Sequence, residues 1–128
     1  MVMIHGGAHT GACFHYTPDG RPGWAYLFAH RGYHVVVPDW PGHGRSGASA
    51  PGTLTGEAVA QALAALVREI PEPVGLVTHS MGGAFGWRLA ELCADQVALA
   101  VAIAPGAPGN IAPPAEVVER DDDRVIVR

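Results

Sequence analysis

Residues 74–87 read VGLVTHSMGGAFGW. Val74 to Thr78 is a run of apolar and small residues, the pattern of a buried strand in a parallel sheet. A helix is expected from about Met81 to Cys93, with Phe85, Leu89 and Leu92 on one face. Ser80 lies at the junction. A serine that leaves a strand and enters a helix with its hydroxyl exposed needs a sharp, strained turn with little bulk around it. Gly82 and Gly83 are expected to supply that freedom. The helix start beneath the serine offers unpaired backbone N–H groups and the positive end of the helix dipole. Such groups suit the negative oxygen of a tetrahedral intermediate, and the Met81 N–H is the first candidate donor. His79 is expected to support the turn. The competing reading makes Ser80 an ordinary helix cap.

Outward from this segment the chain alternates. Val2-Met3-Ile4 is the end of a buried strand that stops at His5-Gly6-Gly7. Residues 5–22 are expected to form a long loop, and loops of that length in a compact domain usually serve function. Trp24 to His30 carries an apolar i, i+3, i+4 face at Trp24, Leu27 and Phe28, followed by Gly32 at a helix C-terminal position. Residues 34–37 (HVVV) read as another buried strand ending at Pro38-Asp39. After a second Gly/Pro loop at 38–52, Thr55 caps a helix to about Ile70, striped by Val59, Leu63, Leu66 and Val67. VALAVAI at 97–103 is a fourth apolar run, and Val125 to Val127 is the possible start of a further strand. The order predicts one α/β domain: a three-layer sandwich with a mostly parallel sheet and right-handed crossovers. The Gly-rich loops all begin at strand carboxyl ends, where sites in such sheets form.

Composition narrows the function classes. The 128 residues are 48% hydrophobic and 16% charged, a globular profile. Net charge is −4 with 8 basic residues, none in a run, which argues against nucleic acid or an anionic membrane as the main partner. No apolar stretch approaches the ~20 residues of a membrane span. The opening MVMIHGG lacks a basic segment followed by a long apolar one, so a cytoplasmic location is the expectation. Cys13 and Cys93 form no CxxC and read as reduced core thiols, with one long-range disulfide as the alternative. The histidines form no HxH or HxxxH pair on a regular element, so neither metal nor cofactor is expected.

The segments HGG (5–7), TPDGRPGW (17–24), PDWPGHGRS (38–46) and THSMGG (78–83) together resemble the α/β-hydrolase superfamily, and residues 5–39 look like a bacterial esterase-like branch of it. APG at 104–106 and THS where GHS is usual are also similar to that branch. The resemblance implies a serine hydrolase acting on a small-molecule carboxylic ester or related acyl compound through an acyl-enzyme on Ser80. It implies a second oxyanion donor from the backbone of Gly7 or Ala8. Asp39 is expected to bond loop backbone groups and not to act as the triad acid. Dehalogenase and epoxide hydrolase chemistry is disfavoured, since those families place Asp where this chain has Ser80.

Two parts of the pattern have no counterpart. In this fold the order is serine, then acid, then histidine. All seven histidines (His5, His9, His15, His30, His34, His43 and His79) precede Ser80. The resemblance puts the acid immediately before the PG at 105–106, where this chain has Ala104; Asp121-Asp122-Asp123 reads as a solvated turn. A partial α/β-hydrolase domain of a longer enzyme is therefore the expectation. The alternative is a non-catalytic module of the same fold that binds a small apolar ligand.

Overall fold

A computed structural model describes residues 1–50, 52–107, 117–121 and 124–127, the last two segments as backbone. Strand β1 (Val2–Ile4) lies beside β2 (Val74–His79), which lies beside β3 (Val97–Ile103), all parallel. Val2 pairs with Leu76 and Ile4 with Thr78 across the first ladder. Val117–Asp121 and Arg124–Val127 form a separate antiparallel hairpin, β4–β5, so the apolar end at 125–127 does not continue the parallel sheet. No helix among the described residues is long and apolar enough to cross a membrane.

Alternation along the strands sends side chains to two faces. Val2, Ile4, Val74 and Leu76 pack under α3 (Gly56–Arg68) and α4 (Met81–Leu92), against Val59, Leu63, Val67, Phe85 and Leu89. Met3 and Val77 face the other way, toward Phe14 of α1 (Ala12–His15) and Ala25 of α2 (Trp24–His30). The result is the expected three-layer α/β arrangement. Thr55 caps α3, its hydroxyl accepting from the Ala58 N–H at 3.1 Å. Gly32 follows α2 with φ of +88°, where a side chain would be strained.

Several expectations need correction. The long loop at 5–22 contains the short helix α1. Residues 34–37 are not a buried strand: they make one parallel bridge, Val36 to Val2, with His34 exposed and Val35, Val36 and Val37 only half-buried. Backbone-to-backbone bonds from this segment to Met1 and β1 include Met3 N–H to the Val36 carbonyl and Val36 N–H to the Met1 carbonyl, both at 2.9 Å. The expected stripe on α2 is not its buried face; Ala25 is buried while Trp24 and Leu27 are exposed. Both cysteines are free, and only Cys93 is a core thiol, since Cys13 is exposed. Helix α3 stops at Arg68, two residues short of Ile70, and α4 stops at Leu92.

Candidate functional site

Ser80 occupies a sharp bend, with φ of 52° and ψ of −124° between β2 and α4. A positive φ is costly for a residue with a Cβ, so neighbouring contacts must hold it. They do. The Ser80 N–H donates to the Ile103 carbonyl at 3.0 Å. The Ser80 carbonyl accepts from the Gly83 and Gly106 N–H groups at 2.8 and 2.7 Å. The serine side chain makes no capping bond to its helix. Ala8 (φ 58°) and Ala104 (φ 44°) are the other described non-glycine residues with positive φ. All three follow the carboxyl ends of neighbouring strands, so backbone strain gathers at one edge of the sheet.

Gly82 and Gly83 contribute small size and not a positive φ. Both belong to α4, and neither has a positive φ. Their lack of a side chain permits close approach instead. A Cβ on Gly82 would lie 2.4 Å from the His5 carbonyl oxygen, and one on Gly83 the same distance from Pro105. Helix α4 is thereby seated against the end of β1 and the loop after β3. Thr78, which stands in the usual place of a glycine, is accommodated from the helix side: a Cβ on Gly86 would come 2.6 Å from Thr78 Cγ2.

The HGG loop comes close to the serine. A Cβ on Gly6 would be 3.0 Å from Ser80 Cβ and 3.2 Å from His79 Nδ1; one on Gly7 would be 3.0 Å from Met81 Cε. Among the described residues, neither the Gly7 nor the Ala8 N–H donates a hydrogen bond. Met81 opens α4, and the first N–H groups of a helix have no partner within it. His79 is half-buried and its ring meets that of His9 edge-on, with centroids 6.0 Å apart.

Asp39 and His5 support the site from behind. Asp39 is buried and accepts from the Gly11 N–H at 2.6 Å, the Arg45 N–H at 2.9 Å and Arg45 Nε at 3.0 Å. Burial alone would raise its pKa. The two backbone donors and the Arg45 guanidinium outweigh burial and hold it at about 2. His5 is fully buried, and burial pushes its pKa down despite the Gly6 carbonyl, which accepts from Nδ1 at 2.8 Å. Its Nε2 has no hydrogen-bond partner among the described residues.

Beside Ser80 opens a cavity of about 450 Å³, walled by Trp40, Leu54, Val59, Ala84 and Phe85 with Met81 at its edge. The motifs did not point to Leu54, Val59 or Ala84 as a cavity wall. No side chain among the described residues hydrogen-bonds the Ser80 hydroxyl, and Asp122 and Asp123 lie outside the described residues.

A parallel α/β sheet with a serine on a strained strand-to-helix bend defines a class of protein before any comparison. The chain belongs to the alpha/beta hydrolase family, whose model matches residues 1–126. It is 41% identical over 106 residues to lipase LipV of Mycobacterium tuberculosis, a match covering 82% of this chain and 36% of that protein. It is 27% identical to methylesterase 9 of Arabidopsis thaliana, over 93% of this chain and 44% of the relative. The chain thus spans less than half the length of the curated relatives it matches. Among solved structures, a pyrethroid hydrolase from Sphingobium faniae superposes with a TM-score of 0.67 at 27% identity, covering 81% of this chain and 38% of that one. A methylesterase from Arabidopsis gives 0.69 at 20% identity, over 99% and 53%, a likeness of fold alone.

Proposed function

We propose that the protein is a serine hydrolase of carboxylic esters or related acyl compounds, with Ser80 as the nucleophile. The observation that carries this is the Ser80 bend, with φ of 52° and, among the described residues, no hydrogen-bond acceptor for the Met81, Gly7 or Ala8 N–H beside it. Ser80 Oγ bonds to the ester carbonyl carbon and gives its proton to a base. The carbonyl oxygen takes the electron pair and is held by the Met81 N–H and that of Gly7 or Ala8. Collapse breaks the bond to the alkoxide, which leaves with the proton, and water then hydrolyses the acyl-enzyme. Lipase and methylesterase relatives support the substrate class.

The base and its acid partner are not among the described residues. The seven histidines all precede Ser80, and Ala104 stands at the expected acid position. A hydroxyl without a base within hydrogen-bond reach is a poor nucleophile. The 128-residue chain is therefore expected to hydrolyse 4-nitrophenyl acetate no faster than its Ser80→Ala variant. Robust turnover that depends on Ser80 refutes this assignment of the base. Ala104 also favours a second reading, a non-catalytic module that binds a small apolar ligand. A fluorophosphonate probe separates the two in a protein that also supplies the base, because labelling at Ser80 requires an activated hydroxyl.

A further inference from the structure

The cavity beside Ser80 differs in burial from floor to rim. Trp40, Val59 and Phe85 are buried and form its floor, whereas Met81 is exposed and Leu54 half-buried at the rim. Its 450 Å³ falls in the lower part of the range for small-molecule sites, ~300–1,000 Å³. Among the described residues no charged side chain lines it, so a charged group entering would lose its water without gaining a partner.

The floor is also anchored. The Trp40 indole N–H donates to the His5 carbonyl at 3.2 Å. Its ring stacks on the His5 ring at 5.0 Å and meets Phe85 edge-on at 4.9 Å. His5 immediately precedes Gly6 and Gly7. The side chain that closes the cavity therefore also fixes the strand end from which the HGG loop departs. An indole held at three points cannot swing aside to lengthen the cavity without releasing that loop.

We propose that this cavity receives the compact, uncharged apolar arm of an ester, branched or cyclic, and that Trp40 is the residue that sets its depth. The assignment of an ester rests on the reading of Ser80 as nucleophile; the fit of an apolar arm does not. A long unbranched chain meets the Trp40–Phe85 floor and has to turn back toward the rim, so added carbons gain little burial. Trp40 reads size and positions the HGG loop together.

The test uses the whole chain titrated with cyclopentylboronic acid and with 1-octaneboronic acid. Boron NMR reports a tetrahedral adduct on Ser80. Fluorescence reports the cavity, because Trp40 is buried while Trp24 and Trp87 are exposed. The cyclopentyl compound should shift the buried emission and bind at least tenfold tighter than the octyl one. Leu54→Trp, at the rim, should lose that binding tenfold or more. Leu54→Ala should narrow the gap by admitting the octyl chain. Trp40→Phe shortens the floor and loses the N–H, so it should narrow the gap between the two probes by admitting more of the octyl chain; calorimetry reads this variant, because the buried indole is gone. Circular dichroism checks that each variant folds. Equal affinity for the two probes, or no effect at Leu54, overturns the proposal. Trigonal boron with an intact, arm-dependent fluorescence response supports the cavity assignment and is what a Ser80 hydroxyl without its base should give. A tetrahedral adduct indifferent to the arm overturns the cavity assignment and shows Ser80 activated.

Discussion

Asp39 shows how one buried charge can organise a loop. Its carboxylate gathers the Gly11 N–H from one loop and Arg45 from another, and its carbonyl accepts from the Ser46 hydroxyl. The sequence reading of Asp39 as a loop-bonding residue matches these contacts. Because its pKa falls from 3.8 unfolded to about 2 folded, it stabilises the fold above the unfolded value. That contribution disappears as pH drops through the folded pKa. Asp39→Asn should cost about 2 kcal/mol at pH 7, from the size of the shift. Urea melts at pH 7 and at pH 2 measure it: the difference between wild type and variant should be present at the first and shrink toward zero at the second. At the same scale, Ser80 was legible from its motif, but its conformation was not. The strain at Ala8 and Ala104 had no sequence signal, since alanine favours negative φ and only contacts from other strands impose the opposite.

At the scale of elements, α4 fits β2 through a complementary pair. Thr78 stands where a glycine is usual, and Gly86 one helical turn and a half along gives it room. Gly86→Ala should destabilise the fold by roughly 1–3 kcal/mol through overpacking, even though alanine favours helix. Thr78→Ala in the same chain should recover most of the loss, giving a favourable coupling in a double-mutant cycle of thermal melts. Additive effects would show that the two residues do not share the space. The helices at 56–68 and 81–92 were legible because both carry an apolar stripe with a cap or a strand before it. The expectation at 34–37 was too strong. Val35-Val36-Val37 has the right side chains, but a strand exists only where a neighbour bonds it, and here β1 does so at one bridge. Residues on α2 misled for a related reason: Trp24 and Leu27 make a stripe, yet no described element covers it.

For the whole molecule, the outer edge of the sheet is its weakest feature. Strand β3 bonds β2 on one side, and Leu99 and Val101 are 59% and 45% exposed. They line an apolar cavity with Trp24, Leu27 and Phe28 on the α2 side. An exposed, uncharged edge strand of this kind invites pairing with other chains. Leu99→Lys is expected to reduce aggregation of the 128-residue chain in light-scattering measurements while changing stability by no more than about 0.5 kcal/mol. Faster aggregation of the variant would show that β3 is not the sticky edge.

The sequence by itself determined the alternation of strands and helices, the parallel sheet between two helical layers, and the place of Ser80 at the junction of β2 and α4. Those features follow from local periodicity and from glycine and proline punctuation, which neighbouring residues impose on one another. Only the tertiary structure decided which faces are covered, that Gly82 and Gly83 let α4 pack closely on its neighbours, and that the Trp40 indole bonds the His5 carbonyl just before the HGG loop. Such properties arise where segments far apart in the chain meet, and pairwise distance in space leaves no trace in local pattern.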